Sequence, residues 1–297
     1  MIEVCLLGHG GMMPLPDRPL SAAAIRIGGE VVLFDCGEGT QVAWRASKFS
    51  FFDLGTILIS HVHADHIVGL PGVLFQIALT GRKDPVRIIG PDDLLPTVEA
   101  LMKVVGGLPF DLTLETLADG QRVPLVGDAT VTAYLLRHRR PCLGYVVDLP
   151  RAPEFLPDRA REIQVPLEHW SDLQRGQPAG GFSPSDVTGP PRQGLRLSLV
   201  TDTAYFSELA SHLRDGDLII CESTYVLDED EQRAEERGHL TMRQATGIAA
   251  EANARRLWLT HFSPKVSEPE SYAREAETFY PPTIIGRPGL SVELNFP

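Results

Sequence analysis

The stretch SHVHADHIVGLPG, residues 60–72, carries three of the chain's nine histidines and an aspartate within six residues. It follows a β-branched run, TILIS at 56–60, and a helix is predicted to begin near Ile67. Four nitrogen and oxygen ligands in one turn suit two borderline metal ions better than one structural zinc, which prefers a closed cage. The alternative is a histidine-rich surface loop without metal. The four candidate ligands of this turn are His61, His63, Asp65 and His66.

Two metal ions need further ligands, and single residues at the ends of later strands could supply them. Each such residue, taken alone, is more often an ordinary hydrogen-bonding group than a ligand. Their occurrence at three strand ends, in a chain that already needs ligands, favours metal binding. The three candidates are His138 after TVTAYLL, Asp202 after LRLSLV and His261 after RLWLT.

Short β-branched runs recur along the chain and alternate with helical patterns, which predicts an α/β or α+β fold with many strands. Apolar residues repeat with helical spacing over 92–105 and 242–254, and Thr241 with Gln244 predicts a capping box at the start of the second helix. The predicted strands are residues 2–7, 23–27, 31–36, 56–60, 86–90, 130–136, 144–149, 195–201, 217–223 and 256–260.

The segment from Pro150 to Gly194 differs from the rest of the chain. It has little periodicity, and eight of the 24 prolines fall within it. A loop of this length in a compact domain is usually a functional excursion or disordered. We therefore expect one domain over residues 1–297, with an inserted arm at 150–194 that carries short secondary-structure elements.

Composition excludes several classes of protein. The formal net charge is −12 and the pI is near 5.2, so adhesion to nucleic acid through bulk positive charge is not expected. The four cysteines are scattered without a CxxC pair, which indicates reduced, buried thiols. No signal peptide and no membrane span are predicted, so we expect a cytoplasmic protein.

Several motifs together resemble one known family. HxHxDH with a later His, Asp and His is typical of the metallo-β-lactamase superfamily. Within it the chain is similar to the tRNase Z (ribonuclease Z) family over nearly its whole length, and the proline-rich run before Asp202 is much less generic than HxHxDH. The matching stretches are LLGHGGMMPLPDRPLSAAAIRI (6–27), LFDCGEGTQ (33–41), the 60–72 loop, GYVVD (144–148), PSDVTGPPRQG (184–194) and LTHFSPK (259–265).

The resemblance implies a four-layer αββα sandwich, with two mixed sheets face to face, helices outside, and metal ions at the strand ends along one edge. It implies two Zn²⁺ per chain, with Mn²⁺ as an alternative. Asp35 is expected to lie behind the site and orient the ligands, although a plain strand-end turn residue would look the same. The implied ligands are His61, His63 and His138 for one zinc, Asp65, His66 and His261 for the other, and Asp202 as the bridge.

The resemblance also implies an activity. The expected enzyme is a homodimeric endoribonuclease that removes the 3′ trailer from precursor tRNA and leaves a 3′-hydroxyl on the tRNA. Two metal ions would activate water for in-line attack on phosphorus, with Asp65 as ligand and proton acceptor. His239 in ERGHLTMRQA (236–245) would serve the leaving 3′-oxygen. From its place in CESTY (221–225), Glu222 could orient His239, unless it is an ordinary strand-end carboxylate. Leu240 and Thr201 replace a serine and a glycine usual in the family, and neither change removes a ligand.

The substrate is open at this point. The family grips tRNA with its arm, where arginine and lysine are expected, but residues 151–175 hold four basic and five acidic residues and no lysine. Positive charge beside the site is expected instead from Arg137, Arg139 and Arg140 and from Arg82, Lys83 and Arg87, unless these are solvated strand ends. The alternatives are a sister hydrolase acting on a small phosphodiester, such as a cyclic nucleotide, or on an aryl sulfate, and a non-catalytic metal-binding partner module.

Overall fold

The computed structural model of the chain describes all residues, 1–297, and contains 14 strands and ten α-helices. The strands are β1 (Ile2–Gly8), β2 (Ala22–Ile27), β3 (Glu30–Phe34), β4 (Leu54–Leu58), β5 (Val86–Gly90), β6 (Leu112–Thr116), β7 (Arg122–Pro124), β8 (Thr130–Leu135), β9 (Leu143–Arg151), β10 (Arg192–Val200), β11 (Leu218–Glu222), β12 (Leu257–Thr260), β13 (Thr283–Ile285) and β14 (Ser291–Leu294). The helices are α1 (Thr40–Arg45), α2 (Ala64–Ile67), α3 (Leu70–Leu79), α4 (Leu94–Met102), α5 (Pro157–Glu162), α6 (Leu167–Gln174), α7 (Leu209–His212), α8 (Glu231–Arg237), α9 (Met242–Glu251) and α10 (Ala273–Phe279). Four short 3₁₀ helices lie at Phe51–Asp53, Pro184–Asp186, Asp228–Asp230 and Pro269–Tyr272.

The strands form two seven-stranded sheets of matching design. The first has the order β14-β1-β2-β3-β4-β5-β6, and the second has the order β13-β12-β11-β10-β9-β8-β7. In the first sheet β3 to β6 run parallel, and in the second sheet β10 to β13 run parallel. The remaining pairs in both sheets are antiparallel.

Strand alternation divides the core into three layers. On β1, Ile2, Val4 and Leu6 face a cluster shared with the second sheet, whereas Cys5 and Leu7 face the helices of the first sheet. The strands of the second sheet alternate in the same way between this central cluster and a layer under α7, α9 and α10. The predicted four-layer αββα sandwich is thereby confirmed.

The parallel strands determine where polar side chains can collect. Their carboxyl ends meet along one edge of the sandwich, and the chain leaves the strands there in short turns. Asp35 follows β3, His61 follows β4, and Asp202 and His261 follow β10 and β12. The same edge therefore receives residues that are far apart in sequence.

The loop at residues 60–72, the predicted metal loop, differs from the prediction at one point. The helix starts at Ala64 rather than near Ile67, so Asp65 and His66 lie within the short helix α2. The turn forms because the His66 amide donates to the His63 carbonyl oxygen, while the Cys36 amide donates to the His66 carbonyl oxygen. Gly69 then separates α2 from α3.

Arg151 and Arg192 are paired in register where β9 meets β10. The segment between them carries α5 and α6. These helices enclose a small apolar cluster of their own, against which Phe155 and Trp170 pack. Every helix of the chain is too short or too polar to span a lipid bilayer.

Candidate metal centre

Four side chains form the first group of potential ligands. His61 Nε2 lies 2.9 Å from His63 Nδ1, and His138 Nε2 lies 3.2 Å from the same His63 atom. Asp202 Oδ2 completes the group at 3.7 Å from His61 Nε2 and 3.9 Å from His138 Nε2. The strand end of β4 and the turn after β8 thus deliver their histidines to one point.

The second group lies beside the first. His66 Nε2 is 3.1 Å from His261 Nε2, and Asp65 Oδ2 is 3.5 Å and 3.4 Å from these two nitrogens. Asp202 Oδ1 lies 3.4 Å from His66 Nε2 and 3.2 Å from His261 Nε2. One Asp202 oxygen therefore faces each group.

Hydrogen bonds at the outer ring nitrogens fix the direction of these imidazoles. His66 Nδ1 lies 2.8 Å from Asp35 Oδ2, and His138 Nδ1 lies 3.0 Å from the Gly238 carbonyl oxygen. The Ser60 hydroxyl donates to Asp35 Oδ2 and so accepts from His61 Nδ1 at 3.0 Å. The outer nitrogens of His61, His66 and His138 are therefore donors, so the inner nitrogen of each ring, when neutral, presents a lone pair.

This donor set fits a divalent cation. The inner nitrogens of His66 and His261 face each other at 3.1 Å, and ionised Asp65 and Asp202 point at the same place. Lone pairs and carboxylates this close repel one another unless a proton or a metal ion lies between them. Imidazole with carboxylate is a ligand set for zinc and related metals.

Charge and burial set the protonation of the group. Burial raises the pKa of Asp202, but His261, His66 and His61 lower it well below its ordinary value. Burial lowers the pKa of His61 well below 6.5, which favours the neutral ring that a metal requires. Burial lowers the pKa of His66 too, but Asp202, Asp35 and Asp65 raise it well above 6.5, so a cation at Nε2 would displace a proton.

Asp35 accepts hydrogen bonds behind the potential ligands that follow β4. It is buried and takes hydrogen bonds from the Ser60 amide at 2.8 Å, the Ser60 hydroxyl at 3.0 Å and His66. Its backbone has a φ of 54°, and His261 has a φ of 60°. Both non-glycine residues therefore hold a strained conformation at the site, as functional positions often do.

A second network of hydrogen bonds connects His261, a potential ligand, to His239. The Thr224 hydroxyl donates to Glu222 Oε2 at 2.6 Å and lies 2.9 Å from His261 Nδ1 and 3.1 Å from His239 Nδ1. Glu222 Oε1 lies 3.2 Å from His239 Nδ1. Thr224, which the sequence analysis did not select, therefore bridges the Glu222–His239 pair and His261.

His239 is held as a cation at neutral pH. Burial lowers its pKa, but the Glu222 carboxylate, through charge and hydrogen bond, and then Asp202 raise it to about 9. Its side chain is 12% exposed, so the ring borders the open cleft. The arrangement gives the site a protonated donor next to the ligands.

Backbone spacing around the ligands excludes larger residues at two glycines. A Cβ at Gly11 would lie 2.6 Å from the His261 ring, and one at Gly238 would lie 2.7 Å from His138 Nδ1. The amide of Met12, the residue after Gly11, donates to Asp65 Oδ2 at 2.7 Å. The turn after β1 thus packs directly on the second ligand group.

The cleft above the ligands has a volume of about 460 Å³ and is bordered by cationic side chains. Of the six expected cations, Arg139 lines the cleft, and the expectation was wrong for the other five, Arg137, Arg140, Arg82, Lys83 and Arg87. Arg137 lies beside Glu208 and Arg140 beside Asp93 instead. Arg82 is buried on the carbonyl oxygens of Phe52 and Asp84, and Arg87 pairs with Glu115, because both lie at the amino end of β5, opposite the ligands. The other cations at the cleft are Arg233, Arg237 and Lys265.

Comparisons with known proteins agree with this geometry. The family described as anti-Pycsar protein Apyc1 matches residues 3–110, and the beta-lactamase superfamily domain matches residues 162–262. A Ribonuclease Z of Lachnoclostridium phytofermentans is 38% identical over 300 residues, covering 100% of this chain and 99% of that protein. The crystal structure of the short form of human tRNase Z is 24% identical, with a TM-score of 0.71, over 99% of this chain and all of that one. The metallo-beta-lactamase fold protein YhfI of Bacillus subtilis is 18% identical, with a TM-score of 0.72, over 98% of each chain.

Proposed function

This chain belongs to the ribonuclease Z family of metallo-β-lactamase-fold enzymes, and from that premise we propose that it is a metal-dependent endoribonuclease that removes the 3′ trailer from precursor tRNA. The product on the tRNA side would end in a 3′-hydroxyl. The observation that carries the proposal is Asp202, which presents one oxygen to each of two histidine-rich groups at a single strand edge. Metal ions held by two such groups would stabilise the negative charge that develops on a phosphoryl group during hydrolysis.

The two groups would hold two Zn²⁺ per chain, and Mn²⁺ is compatible with the same ligands. When bound, the ions would supply Lewis acidity and a nucleophilic water at neutral pH. The ligands we propose are His61, His63 and His138 for one ion, Asp65, His66 and His261 for the other, and Asp202 between them. Asp35 would orient His66, and through Ser60 also His61.

Two residues would move protons. Asp65 is a ligand whose pKa is raised by burial but lowered overall by His66 and His261, so it is ionised and able to hold an attacking water by hydrogen bond. His239, which borders the cleft, would donate its proton to the leaving 3′-oxygen. Glu222 would keep His239 charged and oriented through the hydrogen bond to Nδ1.

The cleft supports a polyanionic substrate. Arg139, Arg237 and Lys265 border it without an ion-pair partner, and Arg233 has only a loose contact of 3.9 Å with Asp230. Phosphates flanking the scissile bond would meet these cations, and such contacts dominate the affinity of proteins for nucleic acids. The chain would act in the cytoplasm, where its four free cysteines, all buried, would stay reduced.

We propose that residues 150–194 form an arm inserted into one domain, and that this arm binds tRNA only weakly. Three of its arginines are neutralised within their own helices or turns. Exposed pairs of this kind add little stability but cancel the charge that a phosphate would need. The pairs are Arg159 with Glu162, Arg161 with Asp158, and Arg175 with Asp172.

We further propose a homodimer formed through α1 and α3. Phe75 and Leu79 lie one turn apart on α3 and are 52% and 64% exposed, and Val42 on the adjacent α1 is 68% exposed. Apolar side chains gathered on one face mark a surface that another protein covers.

The neutral arm favours one competing function, hydrolysis of a small phosphodiester. The purified protein, loaded with Zn²⁺ or Mn²⁺, is therefore given a 3′-extended tRNA and, separately, bis(p-nitrophenyl) phosphate. We expect a single cut that leaves a 3′-hydroxyl on the tRNA. Hydrolysis of the small ester alone would reject the tRNA assignment. Asp202→Asn should lose cleavage, while Asp128→Asn, a change at an exposed aspartate, should retain it.

A further inference from the structure

A smaller pocket lies beside the cleft above the potential ligands. Its volume is about 260 Å³, and Tyr225 and Tyr272 form part of its wall together with Val226 and Val266. The pocket and the cleft share four lining residues, so the two spaces adjoin each other. The shared residues are Tyr225, Arg233, Ser263 and Lys265.

Buried hydrogen bonds tie one wall of this pocket to Arg18. The Arg18 guanidinium, itself buried, donates to the Ser263 carbonyl oxygen at 3.3 Å and to the Ser267 carbonyl oxygen at 2.7 Å. Arg233 lies over the Tyr225 ring at 5.8 Å. The lining combines two tyrosines and apolar side chains with cations and with the carboxylates of Asp230 and Glu268. Aromatic residues beside cations are the surroundings in which nucleobases stack, and the volume suits one base rather than a run of bases.

The position of His239 decides which base would enter. Tyr225 lies 6.3 Å from the His239 ring, measured between ring centroids, and Thr224, which also lines the pocket, is 3.1 Å from His239 Nδ1. In the proposed function His239 serves the leaving 3′-oxygen, so the nucleoside that carries this oxygen lies nearest the pocket. Resting on that function, we infer that the pocket binds the base of the nucleotide on the 5′ side of the cut.

The test uses 3′-extended tRNA with one abasic nucleotide, placed either directly 5′ or directly 3′ of the cut. We expect the 5′ abasic substrate to lower the wild-type kcat/KM about tenfold, the size of one lost stacking contact, and the 3′ abasic substrate to lower it less than about twofold. Tyr272→Ala should cleave the intact substrate about as slowly as wild type cleaves the 5′ abasic one, and should lose its response to the missing base. Tyr272→Phe, which keeps the ring, should retain the response to the missing 5′ base that Tyr272→Ala loses.

The control is Phe52→Ala, a change at an exposed aromatic residue of a 3₁₀ helix outside the pocket, which should leave both ratios unchanged. Equal penalties from the 5′ abasic nucleotide in wild type and in folded Tyr272→Ala would overturn the inference. So would a larger penalty from the 3′ abasic nucleotide, a comparison that uses wild type alone and needs no variant to fold. Failure of wild type to cut intact 3′-extended tRNA would instead refute the proposed function.

Discussion

The Glu222→Gln variant tests how the site keeps a proton on His239. Gln retains the shape of Glu222 and a hydrogen-bonding oxygen but removes the negative charge. That charge is the largest influence that raises the pKa of His239, whereas burial lowers it. We therefore expect the pKa of His239 to fall in the variant.

The size of the effect follows from the two protonation curves. With a pKa of about 9, His239 is about nine-tenths protonated at pH 8. If the pKa returns to the ordinary 6.5, the protonated fraction at pH 8 falls to about 3%, a loss of about thirtyfold. Because a general acid works only when protonated, activity that is lost above about pH 9 in wild type should be lost from about pH 6.5 in the variant.

The assay is the pH profile of single-turnover cleavage of 3′-extended tRNA, with metal content measured on the same samples. The alkaline limb should move toward lower pH in Glu222→Gln, while Glu251→Gln, a change at an exposed carboxylate at the end of α9, should leave it in place. An alkaline limb at the wild-type position in a variant that retains its metal would refute the role of Glu222. Loss of metal from Glu222→Gln would show instead that Glu222 supports the ligands.

Three further changes probe the ligands, their support and the apolar stripe. Asp65→Ala should lower kcat on 3′-extended tRNA by about 10²–10⁴-fold, and a rate within tenfold of wild type would contradict its role. Thr224→Val, which removes the hydroxyl at constant shape, should weaken metal binding about 10- to 100-fold in a chelator competition. Thr224→Ser, which keeps the hydroxyl, should bind metal nearly as tightly as wild type. Wild-type metal affinity in Thr224→Val would argue against the bridge from Thr224 to His261. Combined Val42→Asp and Leu79→Asp should yield monomers by analytical ultracentrifugation, and dimers that persist unchanged would exclude this stripe as the interface.

The ten predicted strands are all present, and the four that the sequence analysis missed occupy the four sheet edges. β6 and β14 flank the first sheet, and β7 and β13 flank the second. Edge strands have one unpaired side and partly exposed faces, so their apolar pattern is weak: no residue of Leu112–Thr116 and none of Arg122–Pro124 is buried. Interior strands, buried on both faces, have the continuous apolar runs that are easily read from sequence.

The residues of the candidate site also divide into those that the sequence pattern predicts and those that only the folded structure brings there. His61, His63, Asp65 and His66 are conspicuous because they are close in sequence, and the three distant residues follow strands whose pattern is strong. Thr224 and Ser60 are ordinary hydroxyl residues whose partners are set only when the sheets meet. The cations of α8 and Lys265 reach the cleft through the packing of helices and loops, which sequence spacing does not encode. Arg82 and Arg87 failed as predictions because closeness to the metal loop in sequence does not place a residue at the same edge.

The most direct test of the account is the metal content of the purified wild-type chain. The protein is dialysed against metal-free buffer after loading with Zn²⁺, and bound metal is counted by mass spectrometry against protein concentration from amino-acid analysis. Asp202, facing both ligand groups, predicts two ions per chain. One ion or none, in a chain that is folded and cleaves 3′-extended tRNA, would contradict it.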